Sequence, residues 1–119
     1  MTQDKVNKEY CNLMLEQLEV TTACNYYAGY RIRILEEINT KFKEYQEVKA
    51  KTDLTPEEQQ KQYTQLDEIV SFIEAAKEHH KLLMRLHEKS QRKLNEVNQK
   101  VDSFRKRHGI DGSHVSVGL

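Results

Sequence analysis

His80 and His87 lie seven residues apart, Cys11 and Cys24 thirteen. These are the side chains that could hold a metal ion or exchange thiols. On a helix, seven residues put two imidazoles ~10 Å apart, too far to ligate one ion, and no His pair has the i,i+4 spacing of a helical zinc site. The sequence therefore implies no metal. His80, His87 and Ser90 read instead as polar members of a packing seam, which lower raw stability and fix register or partner choice. Cys11 and Cys24 on one helix would be separated by ~20 Å, well beyond the ~7 Å a disulfide spans. They read as two reduced, half-buried thiols.

Tyr26, Tyr27 and Tyr30, followed by Arg31 and Arg33, bring aromatic and cationic groups together. On a helix they spread over several faces and make no flat stacking platform, so they read as packing tyrosines. Lys89, Arg92, Lys93, Lys100, Arg105, Lys106 and Arg107 outnumber Glu88, Glu96 and Asp102. That excess could meet phosphate or anionic lipid, but it suits the solvated flank of a coiled coil. There is no Gly-rich phosphate loop, no nucleophile beside a base and no paired-carboxylate constellation. The expectation is a protein that is no enzyme, with no catalytic residue and no cofactor.

The elements that carry these residues are helices. From Leu66 the chain steps by three and four residues through Ile69, Ile73, Ala76, His80, Leu83, His87, Ser90, Leu94, Val97, Val101 and Phe104. Nine of these twelve are apolar, and the mean step of 3.5 keeps one edge of a helix against another helix. The seam would run ~57 Å, so it needs an equally long neighbour. It is the expected partner-binding surface. Composition agrees: only 4 Gly and 1 Pro in 119 residues, with 37% hydrophobic and 32% charged, is a balance that long helices tolerate better than sheets do. Such modest hydrophobicity implies a core shared with other proteins. Lys plus Arg equals Asp plus Glu at 19 each, which removes a global electrostatic case for nucleic acid or lipid. No stretch approaches a membrane span, and the N-terminus lacks the apolar run of a signal peptide. A cytosolic location is the expectation.

Thr55-Pro56-Glu57-Glu58 combines a cap, a first-turn proline and an acid three residues after the cap, a capping-box pattern. It predicts a second helix over 56–108, with Arg105–Arg107 in its last turn and Gly109 as its stop. The remaining divisions are a flexible N-terminus over 1–8, a first helical segment over 9–51, a connecting loop over 52–55 and a disordered tail over 109–119. In the first segment Leu13, Met14 and Leu18 open an apolar face. Cys24, Tyr27, Ile34, Leu35, Ile38, Phe42, Tyr45 and Val48 continue it. Gly29 either lets a neighbour approach a continuous helix or breaks it. The short loop favours an antiparallel pair. The fold class is all-α: an elongated helical hairpin, or coiled coil, of two long helices. Leu82, Leu83, Met84 and Leu86 are apolar on more than one face. One side can meet the first helix and another remains for a second partner.

Leu66-Asp67-Glu68-Ile69-Val70, then Leu82, the run Gln91 to Val101 and the basic Arg105-Lys106-Arg107 resemble the C-terminal half of the Snapin family of SNARE-associated proteins. The family pattern L-D-x-x-V, then Q-x-x-L-x-x-L-N-x-x-V and an arginine cluster, falls on Leu66, Asp67, Val70, Gln91, Leu94, Val97 (Val for Leu), Asn98 and Val101. Ile32, Ile34, Glu36, Glu37 and Ile38 are similar to its first coiled-coil segment, more faintly. The resemblance covers roughly residues 27–107. Glu68 stands where the family tends to place Pro, and the helix-starting proline here is Pro56, so the family's helix boundary does not transfer. The resemblance implies a non-enzymatic coiled-coil subunit of the biogenesis of lysosome-related organelles complex and of its lysosome-positioning relative. The implied partners are other coiled-coil subunits and SNARE proteins, not nucleic acid. The implied location is cytoplasmic, peripheral and indirect on endosomal, lysosomal or synaptic-vesicle membranes. Two alternatives come from the residues themselves: a peripheral membrane or nucleic-acid binder using the basic C-terminal helix, and a homo-oligomeric scaffold.

Overall fold

A computed structural model describes residues 2–110 and is all-α, with two long helices. α1 spans Gln3–Lys49 and α2 spans Pro56–Arg107, about 70 Å and 78 Å of helix at 1.5 Å per residue. α1 starts within the stretch expected to be flexible. Thr2 is the reason: its Oγ1 accepts the Lys5 N–H at 3.3 Å and its carbonyl accepts the Val6 N–H at 3.2 Å. Asp4 lies in the first turn, where a negative charge suits the helix dipole. Val6 is buried, which gives that turn a reason to stay wound.

The other punctuation follows the sequence reading closely. Thr55 Oγ1 accepts the Glu58 N–H at 3.2 Å and its hydroxyl lies 3.0 Å from Glu58 Oε1. The cap is thus made by the expected pair, with the carboxylate meeting the hydroxyl. α1 ends at Lys49, two residues before the expected boundary, and Gln62 of α2 closes that end. Its Nε2 donates to the Val48 carbonyl at 2.8 Å and to that of Lys51 at 3.3 Å, groups a helix C-terminus otherwise leaves unpaired. Asp53 takes φ 57 in the turn between, a left-handed conformation that Asp tolerates. At the far end Gly109 has φ 63. The Ile110 N–H returns to the Arg105 carbonyl at 2.8 Å and the Gly109 N–H to that of Lys106 at 3.4 Å, the double bond of a Schellman stop. The tail assigned to 109–119 lies outside the described residues from position 111 onward.

Gly29 sits inside an unbroken α1, and a Cβ placed on it would meet nothing within 4 Å. The continuous-helix reading holds. The close approach does not occur among the described residues.

The chain forms two compact units, and each helix contributes to both. One unit joins the residues up to Tyr26 with those from His87 onward; the other is Tyr27–Leu86. In the first, Val20, Cys24, Val97 and Val101 form a core against which Leu13, Met14 and Leu94 pack. The Tyr10 ring stacks on Phe104 at 5.6 Å and Gln17 Nε2 donates to Asn98 Oδ1 at 2.6 Å. As α1 advances α2 recedes, so the pairing is antiparallel. In the second unit Ile34 and Val48 of α1 and Ile69 and Leu83 of α2 are buried. The helices meet here too, with Gln62 Nε2 on the Val48 carbonyl and the Lys41 ammonium 5.3 Å from the Phe72 ring centre.

Candidate functional site

All twelve positions of the α2 seam are withdrawn from solvent, but the cover is α1. Ile69, Leu83, Val97, Val101 and Phe104 are buried; Leu66, Ile73, Ala76, His80, His87, Ser90 and Leu94 are half-buried. Five of the twelve lie deep inside the chain's own helix pair and seven lie at its margin. The seam expected to await neighbouring proteins is instead occupied by the chain itself.

α1 answers it with an equally regular seam. Val6, Tyr10, Leu13, Gln17, Val20, Cys24, Tyr27, Arg31, Ile34, Ile38, Lys41, Tyr45 and Val48 alternate strictly by four and three, and every one is buried or half-buried. Sequence reading missed Val6, Tyr10 and Val20. It also missed Gln17, Arg31 and Lys41, because polar residues break an apolar pattern. Gln17 earns its place by its bond to Asn98. Lys41 lays its stem along the seam, with its ammonium 3.1 Å from Glu44 and 5.3 Å from the Phe72 ring centre. One polar seam position of α2 behaves differently: His80 Nε2 is buried without a hydrogen-bond partner.

With that seam closed, the apolar residues of α1 split into two sets. Leu18 and Phe42, expected on the packed face, are 63% and 52% exposed. They belong to a second stripe: Cys11, Met14, Leu18, Thr21, Asn25, Ala28, Ile32, Leu35, Asn39, Phe42 and Gln46, again in steps of three and four, with no charge among eleven positions. In a chain 32% charged, an uncharged run of that length is a pattern. Heptad geometry turns this stripe about a quarter-turn away from the packed seam. In the first unit its exposed large member is Leu18, beside Leu15; in the second they are Ile32, Leu35 and Phe42.

The opposite flank is charged. In the first unit Glu9 and Glu16 of α1 line one groove with Lys100 and Arg107 of α2, opposite signs across the pair that favour antiparallel pairing. In the second, a groove is lined by Arg33, Glu36, Glu37, Thr40, Lys41 and Phe72. Phe72 and Leu82, on α2, are 40% and 52% exposed.

The chemistry-bearing residues are dispersed. Cys11 is exposed and Cys24 buried, so neither is the half-buried thiol expected. Tyr27 and Tyr30 are half-buried, whereas Tyr26 is 58% exposed. Lys89, Arg92, Lys93, Lys100, Lys106 and Arg107 all reach solvent, while Arg105 is half-buried and donates from Nε to the Tyr10 hydroxyl at 2.9 Å. Among the described residues no three His, Cys, Asp or Glu side chains are grouped to hold a metal ion. No described helix is long and apolar enough to cross a membrane. No protein-family model, curated protein or solved structure matches the chain.

Proposed function

We propose that this protein is a non-enzymatic coiled-coil subunit of a hetero-oligomeric complex, and that α1 is the helix that docks its partners. The uncharged second stripe of α1 carries this reading. A helix that packs on one seam and leaves a second seam of Leu18, Ile32, Leu35 and Phe42 exposed has the surface of a three- or four-helix assembly. Each large apolar side chain fully enclosed there contributes about 1.5–3 kcal/mol. The resemblance to the Snapin family supports a setting in lysosome-related organelle biogenesis, lysosome positioning and SNARE-linked vesicle traffic. Other coiled-coil subunits are the proposed partners, and membrane association is peripheral through them.

Affinity capture of the tagged full-length chain from cytosol tests this, with an Ile32→Asp/Phe42→Asp variant as control. Both side chains are exposed, so the variant keeps its helical content. Stoichiometric coiled-coil companions that the variant loses support the reading. The absence of any such companion, or companions that bind the variant equally, refutes it.

A second reading rests on the six exposed cations of α2 between Lys89 and Arg107, faced on their own helix by Glu88, Glu96 and Asp102. It takes anionic lipid or nucleic acid as the partner. Such binding falls steeply between low and physiological salt, whereas docking on the α1 stripe does not.

A further inference from the structure

α2 also carries a second stripe, distinct from that of α1. Phe72, Ala75, His79, Leu82 and Leu86 follow one another by three and four residues on the flank of α2 about a quarter-turn from its packed seam, with Phe72 beside Lys41 of α1. None is a permanently charged residue. Phe72 and Leu82 are 40% and 52% exposed, Ala75 and His79 are exposed, and Leu86 is half-buried. All lie within the Tyr27–Leu86 unit.

The charges of α2 decide what fits this stripe. From Pro56 to His79 the helix has six acids (Glu57, Glu58, Asp67, Glu68, Glu74, Glu78) and two lysines. From His80 to Arg107 it has nine Lys or Arg and three acids. A helix acidic in one half and basic in the other is complementary to itself run in reverse, and repels itself run in parallel. We propose that a second copy of this chain docks here, α2 against α2, antiparallel, about a twofold axis between His80 and Lys81.

The register follows from two residues that flank the stripe. With the axis at that point, His79 of one copy lies level with Leu82 of the other, and Ala75 with Leu86, each pair occurring twice. The same register sets Glu78 opposite Arg85 twice, along the edge of the contact. Moving the axis one heptad step towards the N-terminus sets Glu78 against its own copy. Moving it one step the other way sets Arg85 against its own copy. Each neighbouring register therefore replaces an attraction by a repulsion. In the single chain Glu78 holds Lys81 at 3.1 Å on a highly exposed surface, a contact weak enough to be exchanged for one across the axis. The apolar part of this contact is short, so the dimer is a weak one, and salt loosens it. This surface does not involve the α1 stripe, so it stands or falls independently of the proposed heteromeric role.

Sedimentation equilibrium of the full-length chain over a range of concentrations tests it, with helical content followed by circular dichroism. Wild type should dimerise reversibly, and Leu82→Asp should be a fully helical monomer. Glu78→Arg and Arg85→Glu should each raise the dimer Kd at least about tenfold, and the double variant Glu78→Arg/Arg85→Glu should restore it. A wild-type monomer at every concentration overturns the proposal. So does a dimer that tolerates Leu82→Asp, including one that is lost instead on Ile32→Asp. A double reversal that fails to rescue the singles overturns the antiparallel register, and the proposal with it.

Discussion

His80→Leu should make this protein more stable, although it replaces a seam residue with nothing wrong in its size. The imidazole Nε2 is buried and has no hydrogen-bond partner, while Ile73, Ala76, Leu83 and the other apolar seam positions on either side pack normally. An unsatisfied buried polar atom costs about 1–3 kcal/mol. Leucine fills a similar volume, so overpacking returns less than about 1.5 kcal/mol of that. The net gain is centred on about 1 kcal/mol. Urea unfolding followed by helical circular dichroism measures it directly. The midpoint should rise by about 0.5–1 M with an unchanged slope, equally at two protein concentrations, so that self-association does not contribute. A midpoint that stays or falls refutes the reasoning. It would mean that the ring nitrogen finds a partner in solution and that the seam histidine is a satisfied one.

Val97 and Val101 are both 1% exposed, and truncation of either to Ala removes two carbons and leaves a gap. Each should cost about 1.5–3 kcal/mol in the same assay, with the pair non-additive because they share one core. Gly29→Ala should raise stability by about 0.5–1 kcal/mol, since the added methyl meets open space on a continuous helix; a loss would place another chain against that position. Thr55→Ala should cost about 1 kcal/mol by removing the hydroxyl that caps α2, read as a lower urea midpoint. Exposed Cys11 should react with a thiol reagent in the native protein while buried Cys24 reacts only on unfolding; equal native rates, followed by mass spectrometry, would contradict the packing of the first core.

The punctuation of the chain was legible because it is local. Thr55, Glu58 and Gly109 form their bonds within a few residues of themselves, so their spacing alone carries the geometry. Thr2 was missed by the same logic applied too sparingly: it caps α1 as Thr55 caps α2, but lacks the proline and the acid that announce the second site. The α2 seam was legible because its interruptions, His80, His87 and Ser90, are few among apolar neighbours. The α1 seam was not, since the polar Gln17, Arg31 and Lys41 occupy packed positions, Gln17 by its bond to Asn98 and Lys41 by burying its stem. The positions that carry the family resemblance show the same division. Leu66, Leu94, Val97 and Val101 are packed against α1, where any long antiparallel pair needs apolar side chains.

By itself the sequence determined two long helices, their caps and stops, and the α2 edge that had to be covered, because helical period and end chemistry are properties of a single chain segment. Only the tertiary structure decided what covers that edge and which of two stripes on α1 stays outside. Leu18 and Val20, Phe42 and Tyr45, repeat at the same mean step of 3.5 residues, so no count along the chain can rank one stripe over the other. The choice is made when α2 folds back: the two complementary seams close on each other, and Leu18, Ile32, Leu35 and Phe42 of the remaining uncharged stripe are left facing solvent.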